Sequence, residues 1–160
     1  MRVLGLDPGT ERTGFGCVES HDDTYRLIGS GVLRLGRGEL AGRLVRLHVA
    51  LRELFERHRP DACSIEGIFH QHHARSALLL GHARGVCILA AAERDVPVIE
   101  YPPAVVKRAV TGNGAADKQQ VESMVVRLLG PCAVASYDES DAIAVALCHL
   151  QSARVLRVLE

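Results

Sequence analysis

The sequence predicts an α/β protein: a five-stranded mixed sheet flanked by helices. Three observations carry this. Strand-like runs fill the first 35 residues, and strong helical periodicity follows. Helix and strand signals then alternate: helix, strand, helix, strand, helices. The first run, Val3-Leu4-Gly5-Leu6, is short and continuously apolar, which suits a central strand buried on both faces.

Taken in order, the first strand ends in Asp7-Pro8-Gly9-Thr10, a turn signal. Runs 14–19 and 25–35 predict two more strands that form a meander with the first. Leu40, Leu44, Leu47, Leu51 and Leu54 repeat at helical spacing with Arg and Glu between them, and Pro60 closes that helix. Residues 62–66 predict the fourth strand, 73–94 a long helix rich in Ala, Leu and Gly, and 96–101 a fifth strand cut by Pro102-Pro103. A short helix over 104–110 and a Gly-rich turn over 111–114 follow. Val121, Met124, Val125 and Leu128 mark another helix, stopped by Gly130-Pro131, and the last helix runs over 137–155.

At 160 residues and 48% hydrophobic content, with no net charge, the chain fits one domain that buries its own core, and not a disordered one. The expected location is the cytoplasm. Asp7 lies inside the first apolar run, against a signal peptide. Arg84 and Glu93-Arg94 bound the best apolar stretch, 85–92, far below the ~20 residues that cross a bilayer. Five scattered cysteines (Cys17, Cys63, Cys87, Cys132, Cys148) without a C-x-x-C pair read as buried hydrophobes in a reducing compartment. The balanced charge gives no global sign of a nucleic-acid partner, but the local field decides that.

Acids end three of the apolar elements. Asp7 closes the first strand and Glu66 the fourth. Asp138 and Asp141 open the last helix three residues apart, hence on one face. Ligand sites in α/β sheets lie beyond the carboxyl ends of the strands. If the first and fourth strands are neighbours, Asp7 and Glu66 meet there, and a helix packed on the sheet brings up Asp138 and Asp141. Four carboxylates so close hold protons unless a cation sits among them. Hard oxygen donors select Mg²⁺ or Mn²⁺. Two such ions ~4 Å apart stabilise the attacking and leaving oxygens of phosphodiester cleavage. Each acid also has a plainer reading. Asp7 suits an Asx turn, and Glu66 a solvated strand end. Asp138 and Asp141 suit a helix N-terminus, where Ser136-Tyr137-Asp138-Glu139 has the form of a capping box.

The order of several blocks resembles the RuvC family of Holliday junction resolvases, crossover junction endodeoxyribonucleases. The match runs along nearly the whole chain. The blocks are Leu4-Gly5-Leu6-Asp7-Pro8-Gly9-Thr10, Thr13-Gly14-Phe15-Gly16, Ile65-Glu66-Gly67-Ile68-Phe69, and Gly81-His82-Ala83-Arg84-Gly85-Val86. Val106-Lys107, the segment from Gly112 to Val121, and Asp138-Glu139-Ser140-Asp141-Ala142-Ile143-Ala144-Val145-Ala146 complete it. The resemblance implies an RNase H-like fold, a homodimer and Mg²⁺-dependent nicking with two ions per subunit, which Mn²⁺ can replace. It puts the metal-binding acids on Asp7, Glu66, Asp138 and Asp141, the basic residues near the scissile phosphate on Lys107 and Lys118, and an aromatic DNA contact on Phe69. The implied partners are four-way junction DNA and the branch-migration proteins RuvA and RuvB; no membrane is among them. Two features depart from the family pattern: the histidines of His70-Gln71-His72-His73, and the lack of a basic tail after the last helix.

The remaining features each allow two readings. Lys107 and Lys118 stand out in a chain that otherwise uses arginine; they are solvated surface or phosphate contacts. For Lys118 a helix start adds backbone N–H groups that can also hold phosphate. Phe69 is a core residue or a ring that stacks on an unpaired base. The histidine run suits DNA contact better than metal, because a hard-ligand site needs no imidazole. Ala77, Gly81 and Gly85 allow close helix approach within the monomer or across a dimer. The chain therefore reads as a structure-selective endonuclease that resolves four-way junctions in recombination and repair. One rival is an actin-like ATPase or kinase, whose phosphate loop Gly5-Leu6-Asp7-Pro8-Gly9-Thr10 resembles; that needs two lobes, and there is room for one. The other is a DNA-binding protein of this fold without catalysis, which the four acids argue against.

Overall fold

A computed structural model describes residues 1–21, 24–67, 74–130 and 134–158, with side chains to residue 154. The strands are β1 (Arg2–Asp7), β2 (Arg12–His21), β3 (Thr24–Arg34), β4 (Ala62–Glu66) and β5 (Val98–Tyr101). They form one sheet in the order β3-β2-β1-β4-β5. β1, β2 and β3 are an antiparallel meander, while β4 is parallel to β1 and β5 parallel to β4. The sheet is mixed, as expected, and the first and fourth strands are neighbours.

The helices are α1 (Leu40–His58), α2 (Ala74–Ala92), α3 (Pro103–Thr111), α4 (Lys118–Leu129) and α5 (Tyr137–Val158). Strand alternation splits the core in two. Leu4, Leu6, Cys17, Cys63 and Ile65 meet α1 and α2 on one face. Val3, Val18 and Ala62 meet α3, α4 and α5 on the other. The leucine repeat of α1 is confirmed at Leu47, Leu51 and Leu54, which are buried; Leu40 and Leu44 are half-buried nearer its start. Full burial of one such side chain contributes roughly 1.5–3 kcal/mol. Cys17, Cys63, Cys87 and Cys148 are buried free thiols, and burial raises the pKa of each. Cys132 lies outside the described residues.

Element ends differ from the sequence expectation for local reasons. β5 starts at Val98, because Pro97 has no N–H and the Val96 N–H is spent on the Ala91 carbonyl, closing α2. α3 starts at Pro103, a residue suited to the first helical position. α2 runs through Arg84, as the 73–94 helix predicts, but the apolar segment is longer than the expected 85–92: Ala74–Ala92 is long and apolar enough, by length and composition, to cross a membrane. Here it buries Ala83, Cys87, Ala90 and Ala91 against the sheet and α1, and Arg84 pairs with Glu100 of β5.

Candidate active site

The period of a strand decides where the acids point. On β1, Val3 and Gly5 face α5, so Asp7 faces the same way. On β4, Ala62 packs on that face and the Ser64 hydroxyl donates to the Val145 carbonyl of α5. Glu66 follows in the same phase. Leu6 pairs with Ile65, so Asp7 and Glu66 emerge side by side at the carboxyl ends of two central parallel strands.

Glycines then let α5 lie directly on the sheet. A Cβ on Gly5 would collide with the Ala142 carbonyl, and one on Gly14 with the Asp138 carbonyl. The first turn of α5 therefore rests on the backbone of β2 opposite Asp7, whose register partner is Gly14. That close approach brings Asp138 and Asp141 to the strand ends.

The result is a cavity of about 310 Å³ lined by Asp7, Glu66, Asp141, Lys107 and Lys118, with Pro103, Val106, Val121 and Ala144 as its apolar wall. Burial, then Asp141, Glu66 and Asp138, push the Asp7 carboxyl up from 3.8 to about 7, with Lys118 opposing. Burial and Asp141 also raise Glu66, against Lys107 and Lys118. Burial disfavours a charged Lys118, but Asp141, with Asp7 and Asp138 behind it, more than offsets this and holds the ammonium above its ordinary value. Its Nζ donates to Asp141 Oδ2 at 3.2 Å and stands 5.7 Å from the Tyr137 ring centre. Among the described residues no three His, Cys, Asp or Glu side chains form a finished metal shell. The fit to a hard divalent cation is one of charge and donor type: all-oxygen donors, mutually repelling, with a cationic side chain already drawn in.

Of the residues singled out in sequence, Asp7, Glu66, Asp141, Lys107 and Lys118 come together. Asp138 stands beside them, 3.6 Å from the Arg12 guanidinium. Phe69 and the segment His70-Gln71-His72-His73 lie outside the described residues. The start of α4 is partly closed by a capping box: the Asp117 carboxylate accepts from the Gln120 N–H, and the Gln120 side chain accepts from the Asp117 N–H. Ser136 and Glu139, by contrast, do not form a reciprocal box. Ser136 Oγ accepts from the Glu139 N–H, but the Glu139 carboxylate accepts from the Ala135 N–H and the Ser30 hydroxyl. Sequence reasoning passed over Arg12, Tyr137 and Ser30. No local pattern marks them, since each meets its partner only across the fold.

Carboxylates at the ends of β1 and β4, answered by two lysines, suit a hard divalent cation beside a phosphate, and the mixed sheet with its flanking helices is an RNase H-like fold. The family model for crossover junction endodeoxyribonuclease RuvC matches residues 3–149. A crossover junction endodeoxyribonuclease RuvC of Pseudomonas aeruginosa is 45% identical over 154 residues, 96% of this chain and 88% of that one. The structure of T. thermophilus RuvC in complex with Holliday junction substrate superposes with a TM-score of 0.91 at 34% identity, covering 97% and 96% of the two chains. The yeast mitochondrial Holliday junction resolvase Ydc2, with a TM-score of 0.70 and 13% identity over 97% of this chain and 81% of that one, shares the fold. The chain belongs to the RuvC family of crossover junction endodeoxyribonucleases, and it is an enzyme of that class.

Proposed function

We propose that residues 1–160 act as a single nuclease domain that resolves four-way DNA junctions in recombination and repair. A homodimer nicks two strands of like polarity, one per subunit, leaving 5′-phosphate and 3′-hydroxyl ends. The observation that carries this reading is the convergence of Asp7, Glu66 and Asp141 in one lysine-faced cavity. Asp7, Glu66, Asp138 and Asp141 would hold two Mg²⁺ ions, replaceable by Mn²⁺; such ions supply an activated water and charge stabilisation at the leaving oxygen. Lys107 and Lys118 place positive charge where the phosphate becomes more negative in the transition state. Lys118 Nζ has three donors, so it can make that contact while it keeps Asp141. Phe69, three residues beyond Glu66, stacks on a base freed at the crossover.

The homodimer has support on α2. Leu78, Gly81, Gly85 and Leu89 fall on one stripe, all exposed, with open space beside both glycines. Of the three small residues noted in sequence, Ala77 is half-buried at the edge of this stripe. RuvA and RuvB are the partners that would deliver the junction, in the cytoplasm.

The test is an end-labelled synthetic four-way junction beside a linear duplex of the same sequence. Paired nicks in the junction alone, with Mg²⁺ and not with EDTA, support the reading. Equal cutting of both substrates, or cutting in EDTA, would refute it.

A further inference from the structure

The first turn of α5 carries three carboxylates, and only two serve the site. Glu139 lies between Asp138 and Asp141 in sequence yet turns away. At 100° per residue it points about 130° away from the direction midway between those two. It is only 5% exposed, and both of its oxygens are engaged. One accepts from the hydroxyl of Ser30 on β3, the other from the Ala135 N–H at 2.8 Å. Ser30 pairs in register with Gly16, and Gly16 lies against Ile143, one turn further along α5. The glycine seat sets how closely α5 approaches the sheet. A rotation of that first turn about the helix axis would swing Asp138 and Asp141 off Asp7. The Glu139 carboxylate ties the far side of the turn to an edge strand and to the incoming chain, against such a rotation.

We propose that Glu139 is a positioning residue: by gripping Ser30 and the Ala135 N–H, it fixes the rotation of the first turn of α5 and thereby aims Asp138 and Asp141 at the cation site. This rests on the reading that those acids hold the metal. Groups that orient metal ligands typically change metal affinity 10–100-fold when removed.

The test is Mn²⁺ binding, by calorimetry and electron paramagnetic resonance, to the full chain at a temperature where each variant is folded by circular dichroism. Glu139→Ala should weaken Mn²⁺ binding about tenfold or more, and Ser30→Ala should shift it in the same direction by less. Glu139→Gln should bind close to wild type, because the amide oxygen accepts from Ala135 and the amide nitrogen donates to Ser30. That variant also separates aim from charge, since it removes the negative charge as fully as alanine does. Should Glu139→Ala fail to fold, Ser30→Ala and Glu139→Gln carry the comparison. Unchanged Mn²⁺ affinity in Glu139→Ala, or in Ser30→Ala where alanine at 139 does not fold, would overturn the proposal. So would equal loss in Glu139→Gln and Glu139→Ala. If Asp141→Asn binds Mn²⁺ like wild type, the metal reading itself fails, and that result is distinguishable from the others.

Discussion

Asp7→Asn should stabilise the metal-free protein above neutral pH. The Asp7 carboxyl takes up its proton near 7 in the folded chain, against an ordinary value of 3.8. Between those values the folded state binds more protons than the unfolded one, so stability falls as pH rises from about 4 to 7 and stays low above. At about 1.4 kcal/mol per pH unit, ionised Asp7 costs the native state up to ~4 kcal/mol at pH 8.5. Asparagine removes the charge and its repulsion with Asp141, Glu66 and Asp138, but a buried amide still costs ~1–2 kcal/mol. The net gain is ~2–3 kcal/mol, or roughly 5–10 °C in Tm for a chain of this size. Thermal unfolding of both proteins in EDTA, at one protein concentration and at pH 4.5 and 8.5, measures it. The gain should be large at pH 8.5 and nearly vanish at pH 4.5. A variant less stable than wild type at pH 8.5, or a difference independent of pH, would refute the account of strain among the acids.

Lys118→Ala should slow single-turnover cleavage more than it weakens junction binding, since its charge matters most where negative charge develops. A uniform loss of affinity with a salt slope flatter by about one would mark it instead as an ordinary phosphate contact. Gly14→Ala should lower Tm and cleavage together by forcing the Asp138 carbonyl off its seat, at a cost of ~1–3 kcal/mol; unfolding and cleavage measurements resolve both effects. Phe69→Ala should cut intact junctions slowly and recover on junctions with mismatched central pairs, with Tm unchanged. A loss of ~3–5 kcal/mol of stability without rescue would make it a core residue.

The fold was legible because its signals are local. The continuously apolar run 3–6 read as an interior strand, and the leucine repeat read as a helix. The acids were legible for a related reason: Asp7 and Glu66 end such strands, and a two-residue period carries their direction. What sets their chemistry was less visible. The partner of Glu139 lies 109 residues away on β3, and the capping-box form of Ser136 and Glu139 suggested a purely local bond. Asp117 was hidden similarly: a glycine turn before Lys118 suggested open N–H groups, while the Asp117–Gln120 box takes up two of them. Gly5 and Gly14 could be seen as family motif residues, but their role as the seat of α5 depends on a helix more than 120 positions further on.

The central claim is that β1, β4 and α5 assemble one acidic metal site that performs the cleavage. Asp141→Asn tests it most directly, because Asp141 lines the cavity and pairs with Lys118. Single-turnover nicking of a four-way junction in Mg²⁺, measured beside junction affinity in EDTA, should show cleavage abolished and binding kept or tightened, since one carboxylate fewer repels the DNA. Cleavage at the wild-type rate by Asp141→Asn would contradict the account.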